Sequence, residues 1–174
     1  NTIQELILDN QILAGHDIGS GGLITTLLEM CFADVNLGAK IDFSVFEEKD
    51  IIKYLFSENI AVVFQANSDE AVEAKLKASN VSFYKLGNAT TEATLDFGPC
   101  KLDIAKYRDI WFKTSFLLDQ KQSKNGTAQA RFDNYKNQVL NYTFPTHFTG
   151  KKPVIDASKP RPKAAIIREK GSNS

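Results

Sequence analysis

Cysteine, methionine, tryptophan and histidine are all scarce in this chain. Its 174 residues include two cysteines, one methionine, one tryptophan and two histidines. Cys31 and Cys100 lie far apart and form no CxxC pair. That spacing argues against a zinc site and lends no support to a disulfide framework. Neither sign of charge is in excess: 21 basic residues balance 21 acidic ones, for a formal net charge of zero. The balance removes any electrostatic case for binding nucleic acid or an anionic membrane. No apolar run approaches the roughly 20 residues a membrane span needs. The opening Asn1-Thr2-Ile3-Gln4-Glu5 lacks the basic and apolar regions of a secretory signal. These absences together predict a cytoplasmic protein with reduced thiols.

What is present is a 43% hydrophobic composition, enough for a core in a chain of this length. Ile3, Leu6, Ile7 and Leu13 fall at helical spacing, which predicts a helix over 2–13. Residues 14–22 then read as a glycine-rich loop. Leu23, Leu27, Leu28, Cys31 and Phe32 share one face of a second helix. That helix is expected to end near Asn36-Leu37-Gly38, with Gly38 as a left-handed stop. Ala39–Ser44 alternates like a strand, 49–57 like a short helix, and Ile60–Gln65 like a buried strand. Asn67-Ser68-Asp69-Glu70 signals the start of a helix over 69–79. Strands are predicted at 81–86, 90–97 and 100–104, with turns at Gly87-Asn88 and Gly98-Pro99. A helix over 105–120 carries Tyr107, Ile110, Trp111, Leu117 and Leu118 as a strong aromatic and apolar face, and Trp111 with Tyr107 and Phe112 reads as helix core. Gly126 interrupts before a more polar helix over 127–141. The order of elements predicts a mixed α/β layered domain over 1–142.

The character changes after Tyr142. Pro145, Pro153, Pro160 and Pro162 mark 143–162 as a linker or surface-lying segment. Lys163–Ile167 then reads as a strand without a partner, as if it opened a second domain over 163–174.

The segment richest in chemistry is Gly15-His16-Asp17-Ile18-Gly19-Ser20-Gly21-Gly22-Leu23, at the start of a helix. Glycines let a ligand approach the backbone, and a helix N-terminus offers free N–H groups to an anion such as phosphate. Asp17 is a carboxylate of the kind that holds Mg²⁺ beside phosphate oxygens. A tight turn with an acidic cap explains the same residues without a ligand. The stretch matches neither the P-loop nor the dinucleotide fingerprint.

Residues 14–33 resemble a signature of the phosphoribosylformylglycinamidine synthase family, His-Asp-x-Ser-Asp-Gly-Gly-Leu followed by a helix reading Leu-x-Glu-Met-x-Phe-Ala. Asp17, Gly21, Gly22, Leu23, Glu29, Met30, Phe32 and Ala33 fit that pattern. Gly19 stands where the family usually has Ser, and Ser20 where it usually has Asp. A second stretch, Arg161 to Asn173, is similar to the family's glutaminase opening, Arg-Pro-Lys-Val-Ala-x-x-Arg-Glu-x-Gly-x-Asn. The two matches occur in the order the large single-chain form shows. The resemblance implies a three-layer α/β/α domain with a mixed sheet over 1–142, of the AIR-synthase C-terminal type. It implies an ATP-dependent ligase of purine biosynthesis that takes its nitrogen from glutamine. It implies Mg²⁺ at Asp17, and nucleotide, ATP or a structural ADP, at His16, Gly19, Ser20, Gly21 and Gly22. The Gly19 departure removes one hydroxyl contact and leaves the backbone N–H groups. The implied partners are synthetase domains before this segment and a glutaminase domain after it, and the isolated chain is expected to be inactive. A non-catalytic scaffold domain holding a structural nucleotide is the competing reading. Neither cysteine matches the glutaminase nucleophile. Cys31 reads as core packing and Cys100 as structural at a strand edge. His147 has no evident partner.

Overall fold

The computed structural model describes residues 2–137 and 143–150, together with Ser158, Pro160, Lys163 and Ala165. The chain divides into two units, Asn1–Lys136 and Asn137–Ser174. The expected strand at 163–167 and the glutaminase-like stretch at 161–173 lie outside the described residues, apart from Lys163 and Ala165. In the second unit, Phe144 and Phe148 stack with ring centroids 4.7 Å apart, and the Phe148 amide donates to the Pro145 carbonyl at 2.8 Å.

In the first unit, α1 (Thr2–Leu8) ends earlier than its apolar spacing suggests. Asn10 takes φ 54°, and the Gln11 amide donates back to the Leu6 carbonyl at 2.8 Å. Asn tolerates the left-handed region, and the bond caps an orphan carbonyl of the last turn. The same device at Asn80, with Val81 N–H on Leu76 O, ends α4 (Asp69–Ala78). Freed by this stop, Ile12–Asp17 forms β1, so the first part of the expected glycine-rich loop, through Asp17, is strand. It pairs antiparallel with β3 (Val62–Ala66), with His16 opposite Val63 and Asp17 opposite Val62.

Strand alternation gives this two-stranded sheet two covered faces. Phe64 and Ile12 pack with Leu6 of α1 and with Val72 and Leu76 of α4. The neighbouring Val63 joins the larger cluster beneath α2 (Gly22–Cys31). The expected α/β/α layering is therefore present around β1–β3. The β3 strand is less buried than its composition suggests, since Val62 is half exposed and Ile60 fully so.

The second sheet is mixed, with order β4-β2-β5-β6. Its strands are β2 (Gly38–Ile41), β4 (Gly87–Thr90), β5 (Thr94–Asp96) and β6 (Lys101–Asp103). Here the sequence reading needs several corrections. Gly38 does not stop α2, which ends at Cys31. It opens β2, where a side chain would collide with the Thr94 and Glu92 carbonyl oxygens. Gly87-Asn88 begins a strand instead of a turn. The expected strand at 90–97 is split by a bend, and 81–86 is not a strand. Helix α3 is shorter than expected, Ile51–Leu55, capped by Asp50 accepting from the Ile52 amide. The main core joins Leu23, Leu27, Ile41, Phe43, Leu55, Leu95, Phe97, Leu102 and Ile104.

Helix α5 (Ile104–Gln122) starts in that core at Ile104 and leaves it. Ile110, Trp111, Leu117 and Leu118 are each half exposed or more, which corrects the reading of Trp111 as core. The buried side of α5 instead meets α6 (Thr127–Asn134) and Tyr135 through an aromatic cluster. Phe116 stacks on Phe132 at 4.3 Å and Phe112 on Tyr135 at 4.0 Å. The Tyr135 hydroxyl donates to Asp109. Burial and then this bond push the Tyr135 phenol up to about 12. Burial works against the Asp109 carboxylate, yet the Lys136 and Tyr135 hydrogen bonds outweigh it and hold Asp109 below its ordinary value. Among the described residues, no helix is long and apolar enough to cross a membrane.

Two outcomes follow from this packing. Leu95 is fully buried and Leu118 is 57% exposed. Leu95→Ala should cost about 2–5 kcal/mol in urea unfolding of the chain, whereas Leu118→Ala should cost about 0.5 kcal/mol or less. Because the Tyr135 phenol is raised on folding, its stabilisation is complete below the ordinary phenol value and is lost as pH rises through about 12. Spectrophotometric titration of wild type against Tyr135→Phe should show one late-ionising phenol missing in the variant.

Candidate functional site

The site is the turn between β1 and α2. The strand pairing runs one bond further, with the Ile18 amide donating to the Ala61 carbonyl at 2.9 Å. The Asp17 carbonyl is held by the His16 Nδ1–H at 2.7 Å and the Thr26 hydroxyl at 3.2 Å. Thr26 is 2% exposed, so β1 is tied to α2 from inside. The Asp17 side chain is left 85% exposed.

Two glycines form the corner for separate reasons. Gly21 has φ 90° and Gly22 φ 74°, both in the left-handed region that favours glycine. A Cβ on Gly22 would also lie 2.7 Å from the Phe56 carbonyl carbon and 2.9 Å from the Leu55 oxygen. The start of α2 therefore rests directly on the end of α3. Gly19, by contrast, faces open space.

Two amides of the turn are partnered. Gly22 N–H donates to the Gly19 carbonyl at 3.1 Å, and Gly21 N–H donates to Glu58 Oε1 at 2.9 Å. Glu58 lies 37 residues from Gly21 along the chain, on the segment that follows α3. On the other side, Glu29 of α2 accepts from Trp111 Nε1 at 2.7 Å, and its second oxygen is 3.0 Å from His16 Nε2. Glu29 thus orients His16 and joins the turn to α5.

Of the six residues singled out from the sequence, His16 and Asp17 end β1, Gly19, Ser20 and Gly21 lie in the turn, and Gly22 opens α2. Glu58, Thr26 and Trp111 were missed as members. Trp111 read as core, and no local signal marks Glu58. Cys31 does pack in the core, where burial pushes its thiol up, while Cys100 is free and exposed.

Among the described residues no group of three or more His, Cys, Asp and Glu could cage a metal. Magnesium commonly uses one or two carboxylates and completes its shell with water and phosphate oxygens. Exposed Asp17 suits that habit. The Glu58 carboxylate at Gly21 N–H is a stand-in anion, showing that this amide accepts one. The open space at Gly19 leaves room for a guest. The residues fit a Mg²⁺–nucleotide.

Residues 1–97 match the family described as AIR synthase related protein, C-terminal domain. The chain belongs to the AIR synthase related family. This AIR synthase related chain is also similar to two long proteins. It is 32% identical, over 98% of its length, to the probable phosphoribosylformylglycinamidine synthase, chloroplastic/mitochondrial, of Arabidopsis thaliana. It is 28% identical, also over 98% of its length, to the phosphoribosylformylglycinamidine synthase of Homo sapiens. The AIR synthase related chain spans 13% of the length of each of these relatives.

The geometry predicts opposite outcomes for two glycines of one turn. Gly22→Ala forces a left-handed alanine against the Phe56 backbone and should destabilise the chain by about 1–3 kcal/mol. Gly19→Ala meets open space and should leave the thermal midpoint nearly unchanged. Thermal unfolding of both variants checks this.

Proposed function

We propose that this chain is one domain of a long ligase of purine biosynthesis. The ligase converts formylglycinamide ribonucleotide, with ATP and glutamine, to formylglycinamidine ribonucleotide. The observation that carries the reading is the similarity to two proteins named as that synthase, running over 98% of this chain. Because the chain is 13% of their length, the rest of the reaction belongs to other domains of the same polypeptide. In this reading synthetase domains precede it, and Arg161–Asn173 leads into a glutaminase domain.

The residues of this chain have defined tasks in the proposal. Asp17 holds Mg²⁺ by its exposed carboxylate. Gly19, Ser20, Gly21 and Gly22 offer backbone to a phosphate, and His16 is oriented beside them by Glu29. ATP, when bound to the enzyme, supplies the phosphoryl group that makes the amide oxygen a leaving group. Enclosure by neighbouring domains keeps ammonia from water and protonation. The working compartment proposed is the cytoplasm, although the plant relative is named for the chloroplast and mitochondrion.

The test is an assay of the intact polypeptide with formylglycinamide ribonucleotide, glutamine and Mg-ATP. Product should form, and the 174-residue chain alone should make none. Asp17→Asn in the intact polypeptide should lower turnover at limiting Mg²⁺ by about 10-fold, with partial recovery at high Mg²⁺, since one charge-assisted ligand is lost. Failure of the folded, intact polypeptide to convert this substrate would overturn the proposal.

A further inference from the structure

We infer that Glu58 is a built-in competitor for phosphate at the β1–α2 turn, so that a nucleotide gains the Gly21 amide only as the Glu58 carboxylate leaves it. The inference rests on the proposed nucleotide role of this turn and concerns how that site is regulated.

Gly21 N–H sits at the N-terminus of a 10-residue helix, the end that favours negative charge. A carboxylate and a phosphate oxygen are equivalent guests for such a donor. Of the two glycine amides at the corner, Gly22's is satisfied inside the turn by the Gly19 carbonyl. Gly21's is the one an incoming anion can take, and Glu58 Oε1 lies on it at 2.9 Å.

Glu58 is also free to leave. It is exposed, and among the described residues no lysine or arginine pairs with it. Among the described residues, only the Gly21 amide holds its carboxylate in place. A metal-free phosphate arriving here would meet the carboxylates of Asp17 and Glu58 without a paired cation. A Mg²⁺-complexed diphosphate brings its own positive charge to Asp17 and can displace Glu58 from the amide. The ligand class selected is thus the metal-complexed nucleotide over free phosphate, with Glu58 setting the affinity.

The experiment is hydrogen exchange of the intact polypeptide, followed over residues 18–31 while Mg-ADP is titrated. Glu58→Ala should reach half-protection at about 10-fold lower Mg-ADP than wild type, and Glu58→Gln, which keeps an acceptor but loses the charge, at about 3-fold lower. Asp17→Asn should remove the protection in every background. Equal or weaker binding by both Glu58 variants, with Asp17→Asn still abolishing protection, overturns the competitor role and leaves the nucleotide reading standing. No protection in any protein overturns both. If Glu58→Ala alone loosens 22–31 without ligand, Glu58→Gln decides the matter.

Discussion

The contact on which the site depends is the approach of two backbones at Gly22. The first residue of α2 touches the Leu55–Phe56 peptide closely enough to exclude a side chain. That contact fixes where α2 begins relative to the end of α3. It also brings the segment after α3, with Glu58, to the amide of Gly21 just ahead of α2. Hydrogen bonds from Thr26 and His16 to the Asp17 carbonyl then set the end of β1 against the same helix. An exposed acid, a histidine and a helix N-terminus are held together by a handful of short-range constraints. None of them uses the charged side chain of Asp17, which stays available.

Much of the site was legible in the sequence, because its parts are contiguous. A run of glycines before an apolar-periodic helix, with an Asp just ahead, marks a turn with free amides whatever its ligand. Helix α4 was equally plain, since Ser68 caps it and Val72 and Leu76 mark its buried side. The misreadings come from long-range contacts in all but one case, the local stop at Asn10. Gly38 looked like a helix stop, but its lack of a side chain is required by Thr94, far along the chain. Asn10 cut a helix whose apolar spacing ran on through Leu13, because backbone capping outweighs periodicity over one turn. Glu58 and Trp111 joined the site across 37 and 82 residues, distances at which local pattern carries no information.

The α5 face is the clearest place where composition and structure part. Ile110, Trp111, Leu117 and Leu118 recur at helical spacing, which in a free-standing domain signals core. They lie instead on the outside. Helix α5 spends its inner side on Phe112 and Phe116 against α6, and the outer stripe is left over. An exposed apolar stripe of this kind is the surface the proposed neighbouring domains would cover. Trp111 has a foot in both regions, since its indole N–H reaches Glu29 and through it His16.

In the proposed reading, the β1–α2 turn is the ligand-facing end of this domain. The direct measurement is a crystal structure of the intact polypeptide grown with Mn²⁺ and ADP, using the anomalous signal of manganese. The account predicts a manganese peak in coordination with the Asp17 carboxylate, a phosphate oxygen on the Gly21 amide, and Glu58 turned away. A nucleotide and metal bound elsewhere, with no peak at Asp17 and Glu58 still on Gly21, would contradict it.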